Sequence, residues 1–170
     1  RALAENRIEL CVEKLGRQNP DSYQTLGAIY GAWGFLIMMA TFLGTGGAAI
    51  LMQPAALMLQ RRSGFPAFIE IAAELVAAGH QAIGPQSIVV IPSVSGTTSE
   101  SVATLDYCKA RGAMVITLVG NGETPLGRKA DHAFVNFAED DTSSESFYLQ
   151  SLLIALSVME HRGEFAGYDK

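Results

Sequence analysis

Positive charge is scarce in this sequence. Lysine and arginine number 12 of 170 residues against 17 aspartates and glutamates, a formal net charge of −5, and no basic run occurs. Without a basic patch there is no electrostatic footprint for a nucleic-acid backbone, so nucleic acid is not an expected partner. Cysteine is equally sparse: Cys11 and Cys108 lie far apart, with no Cys-x-x-Cys pair and no Cys/His cluster. That excludes a disulfide framework and a structural zinc site, and describes reduced core residues of a cytoplasmic protein. No metal constellation and no cofactor motif stands out. The glycine turn at 44–47 lacks the dinucleotide spacing, and without a P-loop lysine nucleotide hydrolysis is disfavoured.

Charge is missing altogether between Asp21 and Arg61. Length alone would permit a membrane span there. However, Gly44-Thr45-Gly46-Gly47 breaks the run, Pro54 follows, and no aromatic belt brackets an apolar core. A buried strand followed by a buried helix is the expected structure, with no membrane partner. The chain starts at Arg1 with no signal-peptide pattern, which suggests a trimmed piece of a longer protein.

Hydrophobic residues are abundant, at 49%, and glycines number 17. That balance suits a single doubly wound α/β domain with buried strands and tight turns. The stretch that organises it is Ser87-Ile-Val-Val-Ile-Pro92-Ser93-Val-Ser95-Gly96-Thr97-Thr98-Ser99-Glu100. Ile88 to Ile91 form an apolar run of strand length, and Pro92 is expected to mark its end. Five hydroxyls follow within seven residues, and Thr97-x-x-Glu100 has the form of a capping box opening a helix. Unpaired first-turn N–H groups with hydroxyls around them favour a phosphate.

In chain order, amphipathic helices are expected at about 2–17 and 21–36, a strand at 38–43, and a helix at 47–61 after the glycine turn. A strand at 65–71 should lie at a sheet edge because of Pro66. A short helix follows at 72–79, and beyond the central turn a helix at 98–111 presents Val102, Leu105 and Cys108 on one face. The remaining elements are a strand at 113–119, a short helix from Thr124-Pro125, a strand at 132–137, and a helix at 143–161 after Thr142-x-x-Glu145. Alternation of strand and helix implies a parallel sheet covered on both faces. The last helix is apolar nearly all round, a hint of a dimer or of a second domain.

Ser93-x-Ser95-Gly96-x-Thr98-x-Glu100 after a hydrophobic strand resembles the signature of the SIS (sugar isomerase) phosphosugar-binding family. Phe42-Leu43-Gly44-Thr45-Gly46-Gly47 is similar to its first strand and glycine turn. Ala113 to Val119, Thr124-Pro125-Leu126 and Ala130-Asp131 resemble its fourth strand and following segment, and Ser143 to Gln150 its last helix start. The nearest likeness is to fructosamine-6-phosphate deglycases and the isomerase half of glucosamine-6-phosphate synthase.

The resemblance implies a three-layer αβα fold on a five-stranded parallel sheet over residues 38–170. Residues 1–37 would pack on it as helices, and the chain would be the first half of a protein with two such domains. It also implies a phosphorylated sugar or sugar–amine conjugate as ligand and a homo-oligomer. Ser93, Ser95 and Thr98 would donate hydroxyls to the phosphate, joined by backbone N–H groups of Val94, Ser95, Gly96, Thr97 and Thr98. Gly44, Thr45, Gly46, Gly47 and Ala48 would lie on the sugar side; Ala48 stands where many members have serine.

Isomerisation and deglycation both need a base beside a carbonyl and an acid for the leaving group. Glu100, Glu139 and Glu145 are the candidates, although Glu100 and Glu145 are most simply capping carboxylates and Glu139 lies in an acidic loop. His80, His132 and His161 have structural or exposed roles as the simpler reading. In two-domain relatives the catalytic set belongs largely to the second domain or the neighbouring subunit. Three readings stay open: part of a sugar-phosphate isomerase or deglycase, a sugar-phosphate sensor, and a dimerising domain without a working site.

Overall fold

The computed structural model describes residues 39–136 and 143–165. Five strands, β1 (Met39–Gly44), β2 (Ala67–Ile71), β3 (Ser87–Ser93), β4 (Met114–Val119) and β5 (His132–Val135), form one sheet in the order β2-β1-β3-β4-β5. Every pairing is parallel. The helices between them are α1 (Gly47–Arg62), α2 (Ala72–Ala78), α3 (Ser99–Ala110) and α4 (Pro125–Lys129), with α5 (Ser143–His161) last.

Sheet periodicity sorts the side chains into two cores. Ala40, Phe42, Ile88, Val90, Ile116, Leu118 and Phe134 point to one face, which α1 and α5 cover with residues such as Met52, Leu59, Phe147 and Val158. Leu43, Val89, Ile91, Val115 and Val119 point to the other, under Leu75 of α2, Leu105 and Cys108 of α3, and Leu126 of α4. The result is the expected three-layer αβα arrangement. Burial pushes the Cys108 thiol up to about 12, so it packs as an inert apolar group.

Several expectations meet the structure directly. β2 is an edge strand, and Pro66 lies just before it. Helix α2 ends at Gly79, whose φ of 73° reverses the chain. Helix α5 occupies 143–161 as expected. Among the described residues no helix is long and apolar enough to cross a membrane. The expected helices at 2–17 and 21–36 and Cys11 lie outside the described residues.

One expectation is corrected. Pro92 does not end β3; it pairs with Leu118, and the strand runs on to Ser93. The ladder with β1 stops at Val90, which leaves Pro92 a side with no partner strand for its proton-less nitrogen. Helix α1 runs unbroken through Pro54, in line with the expected helix at 47–61. In α3, Leu105 and Cys108 are buried and Val102 packs half-buried against the same core, as expected, with Ser101 and Thr104 buried beside them. Each buried hydroxyl finds an oxygen: Thr104 Oγ1 lies 3.1 Å from Ala72 O and 2.7 Å from Glu100 O. Hydrogen bonding makes these polar positions compatible with a core.

Candidate functional site

Strand order reverses between β1 and β3, because α1 leaves β1 toward one face and α3 leaves β3 toward the other. At such a switch point the two departing chains leave a crevice at the carboxyl ends of the strands, where ligands collect in open α/β sheets. Both turns singled out in the sequence lie there.

The first turn joins β1 to α1. Gly44 is required by close approach: a Cβ there would stand 2.4 Å from both the Cα and the N of Ala49. Gly46, at φ 53°, ψ −128°, is the N-cap of α1, and no side chain caps that helix. The N–H groups of Ala48 and Ala49 donate at 3.2 Å to the carbonyls of Thr45 and Gly46, which folds the turn tightly. Gly46 and Gly47 are exposed, and Thr45 and Ala48 are half-buried.

The second turn joins β3 to α3, and its hydroxyls converge. Ser93 Oγ and Ser95 Oγ each lie 3.4 Å from Thr98 Oγ1. Thr98, not Thr97, is the N-cap, and its side chain makes no capping hydrogen bond. The expected capping box does not form: the Glu100 carboxylate takes the Ser99 hydroxyl at 2.9 Å instead of reaching back to Thr97. Thr98 turns its oxygen toward the serines, so α3 begins without a side-chain cap beside three hydroxyls.

The backbone of this turn is braced by the segment that follows β4. Val94 O accepts Gly120 N–H at 3.0 Å, and Gly96 O accepts Leu126 N–H at 3.1 Å. Every peptide among the described residues is trans, so each carbonyl drawn toward Gly120 or Leu126 sends the next N–H the opposite way. Ser95 N–H and Thr97 N–H are thereby aimed away from the protein's own acceptors on that side. Within the turn, Thr97 N–H makes one long hydrogen bond, donating to the exposed Ser95 Oγ at 3.4 Å. Gly96 N–H differs from the expectation, because it is engaged inside the turn by Ser93 O and Ser93 Oγ, both at 3.2 Å.

This arrangement supplies oriented donors without a cationic side chain. Neither turn contains lysine or arginine, and helix N-termini provide the favourable potential for an anion. The first turn also touches α3, since Thr45 Oγ1 stands 3.4 Å from the buried Ser101 Oγ.

The two described carboxylate candidates lie on helices of opposite layers. Glu100 is exposed in the first turn of α3; its own main-chain N–H and the Ser99 hydroxyl hold its carboxyl below the usual range, so it stays ionised. Glu145 is half-buried in the first turn of α5, in the opposite helical layer. Glu139 lies outside the described residues. His80 packs edge-on to Phe68 with ring centroids 5.2 Å apart, and its Nε2 is 3.8 Å from Glu70 on the edge strand. His161 is the last residue of α5.

His132 opens β5, at the end of the sheet away from both turns. Burial pushes its imidazole below the ordinary 6.5, against the opposing pull of Asp131. The unfolded chain therefore takes up a proton here more readily than the folded one. Its contribution to stability is full above pH 6.5 and is lost as pH falls through that value toward the lowered folded pKa. Thermal melts between pH 8 and pH 5, at about half-unit steps, should show a flatter acid limb for His132→Asn; an unchanged limb would contradict this assignment.

Sequence reasoning missed Ser101 and the brace from Gly120 and Leu126. Thr124-Pro125-Leu126 was visible as a motif, but its contact with Gly96 spans far too much sequence for periodicity to reveal. Ser101 reads as an ordinary polar residue in a helix.

Comparison with known proteins agrees with this geometry. The SIS domain family matches residues 40–160. The fructosamine deglycase of Bacillus subtilis is 25% identical over 129 residues, covering 73% of this chain and 39% of that protein. An isomerizing glutamine–fructose-6-phosphate aminotransferase of Caulobacter vibrioides is 30% identical over 105 residues, covering 59% of this chain and 17% of that protein. Both curated relatives are thus much longer than the present chain. Among solved structures, the Vibrio vulnificus NanR protein complexed with ManNAc-6P superposes with a TM-score of 0.69 at 17% identity, covering 96% of this chain and 66% of that one. The order of the five parallel strands, the two switch-point turns and the match over residues 40–160 place this chain in the SIS domain family.

Proposed function

We propose that this chain is a phosphosugar-binding domain whose phosphate rests on the Ser93–Thr98 turn. The observation that carries this reading is the convergence of Ser93, Ser95 and Thr98 hydroxyls at 3.4 Å beside an α3 start that no side chain caps. Ser95 N–H and Thr97 N–H, directed outward by the brace from the segment that follows β4, complete the phosphate cradle. Thr45, Gly46 and Gly47 then meet the sugar across the crevice. The deglycase relative and the ManNAc-6P complex of NanR support a sugar phosphate as the ligand class.

The parent activity we favour is sugar-phosphate isomerisation or fructosamine 6-phosphate deglycation, by proton transfer next to an open-chain carbonyl. Glu100 remains ionised and is engaged by Ser99, which suits it poorly to act as an acid. The acid–base set is therefore completed by Glu139, Glu145 or groups from a further domain or subunit, in a cytoplasmic homo-oligomer. A sensing role without turnover is the second reading, favoured by the separation of Glu100 and Glu145 into opposite layers.

Calorimetric titration with fructose 6-phosphate and glucose 6-phosphate, with fructose and glucose as controls, tests the binding claim. Binding that depends on the phosphate supports it; silence toward both phosphosugars on folded protein refutes it. Turnover of fructosamine 6-phosphates separates enzyme from sensor. Ala48 sits half-buried in the first turn of α1. Its replacement by serine, which adds a donor, is expected to tighten sugar-phosphate binding about fivefold, one net hydrogen bond being worth ~1 kcal/mol. Unchanged affinity in the same titration would place Ala48 away from the ligand.

A further inference from the structure

Ser101 is the third residue of α3, fully buried on the face it shares with Thr104, Leu105 and Cys108. Its hydroxyl has one side-chain hydrogen bond, to Thr45 Oγ1 at 3.4 Å, across 56 positions of sequence. A buried hydroxyl left without an acceptor costs about 1–3 kcal/mol, so a proton in reach of a single acceptor goes to it. Thr45 Oγ1 is that acceptor. A threonine hydroxyl can accept one hydrogen bond and still donate its own proton. Thr45 is half-exposed on the first turn, so its proton is left for a group outside the protein. The next buried hydroxyl of α3, Thr104, bonds to the first residue of α2 and fixes the helix that carries Ser101.

We propose that Ser101 is a positioning residue: by donating to Thr45 it holds that hydroxyl as a donor toward an acceptor oxygen of the sugar. It thereby sets the preference for sugar phosphates over bare phosphate. This rests on the phosphosugar reading of the site. It goes beyond that reading by assigning a direction to the hydrogen bond between the first turn and α3 and a specificity role to a residue no ligand need touch.

The test is a double-mutant cycle read by calorimetry with two probes, fructose 6-phosphate and inorganic phosphate. Ser101→Ala and Thr45→Val are each expected to weaken fructose 6-phosphate about three- to tenfold and to leave inorganic phosphate within about twofold. The double variant should be no weaker than Thr45→Val alone, because the two residues act in series. Ser101→Thr, which keeps the hydroxyl, should restore the affinity. Equal loss for both probes, additive losses, or wild-type affinity in Ser101→Ala would overturn the positioning role. Should Ser101→Ala fail to fold, the remaining pair decides: selective loss in Thr45→Val with retention in Ser101→Thr supports the proposal, and any other pattern refutes it. If the unaltered chain binds neither probe, the phosphosugar reading falls and this proposal with it. If it binds both and Ser101→Ala behaves like wild type, only the positioning role falls.

Discussion

Replacing both Ser95 and Thr98 by alanine is expected to weaken fructose 6-phosphate binding by at least about a hundredfold. A hydrogen bond to a charged phosphate oxygen is worth roughly 1.5–3 kcal/mol, and two are removed. The loss should be shared by inorganic phosphate, since both hydroxyls act on the anion. Folding should be nearly unaffected. Ser95 is exposed, and Thr98 is half-buried without a capping bond to lose, so the melting temperature should stay within about 2 °C of wild type. Calorimetry on the double variant, with a thermal melt beside it, reads both quantities. Undiminished affinity in a folded variant would move the phosphate elsewhere.

Gly96→Ala should have the largest effect on the fold and the site together. Gly96 has φ 62°, and a Cβ there would lie 2.1 Å from Thr124 Oγ1, 2.6 Å from its Cβ and 3.0 Å from its Cγ2. The left-handed conformation costs a residue with a side chain about 1–2 kcal/mol, and the clash adds to it. We expect a loss of roughly 2–4 kcal/mol, a fall of about 5–15 °C in melting temperature for a domain of this size. Binding should be abolished, because relief of the clash must displace the Gly96 carbonyl from Leu126 N–H and turn Thr97 N–H away from its outward direction. Thr124→Ala should not rescue the variant, since the Cβ–Cβ contact remains, whereas Thr124→Gly should recover the steric part of the loss and leave the backbone part. Equal rescue by both would show that the Thr124 hydroxyl alone causes the conflict.

The parts of the fold legible in the sequence are those with local causes. Uninterrupted apolar runs gave β3 and β4, a proline gave the edge position of β2, and Gly79 gave the end of α2. Alternating elements implied the parallel sheet. The hydroxyl-rich turn after β3 was legible because its hydroxyls and glycine are contiguous.

What sequence left hidden depends on residues distant along the chain. Pro92 lies within its strand because β1 stops short of it, a fact of register. The capping box at Thr97 and Glu100 was a sound local pattern, yet Thr98 became the N-cap and Ser99 took the carboxylate. The buried face of α3 was read from Leu105 and Cys108 but left incomplete, because Ser101 and Thr104 join it only once their partners Thr45 and Ala72 are known. The carboxylates could be named but not placed, because only the sheet assigns Glu100 and Glu145 to opposite layers.

Amide chemical-shift mapping of the labelled chain during titration with fructose 6-phosphate tests the location of the phosphate most directly. The account predicts the largest shifts at Ser95, Thr97 and the first turn of α3, with smaller ones from Thr45 to Ala48. It also predicts that inorganic phosphate reproduces the first set alone. Shifts centred away from both turns, or none on folded protein at millimolar ligand, would contradict it.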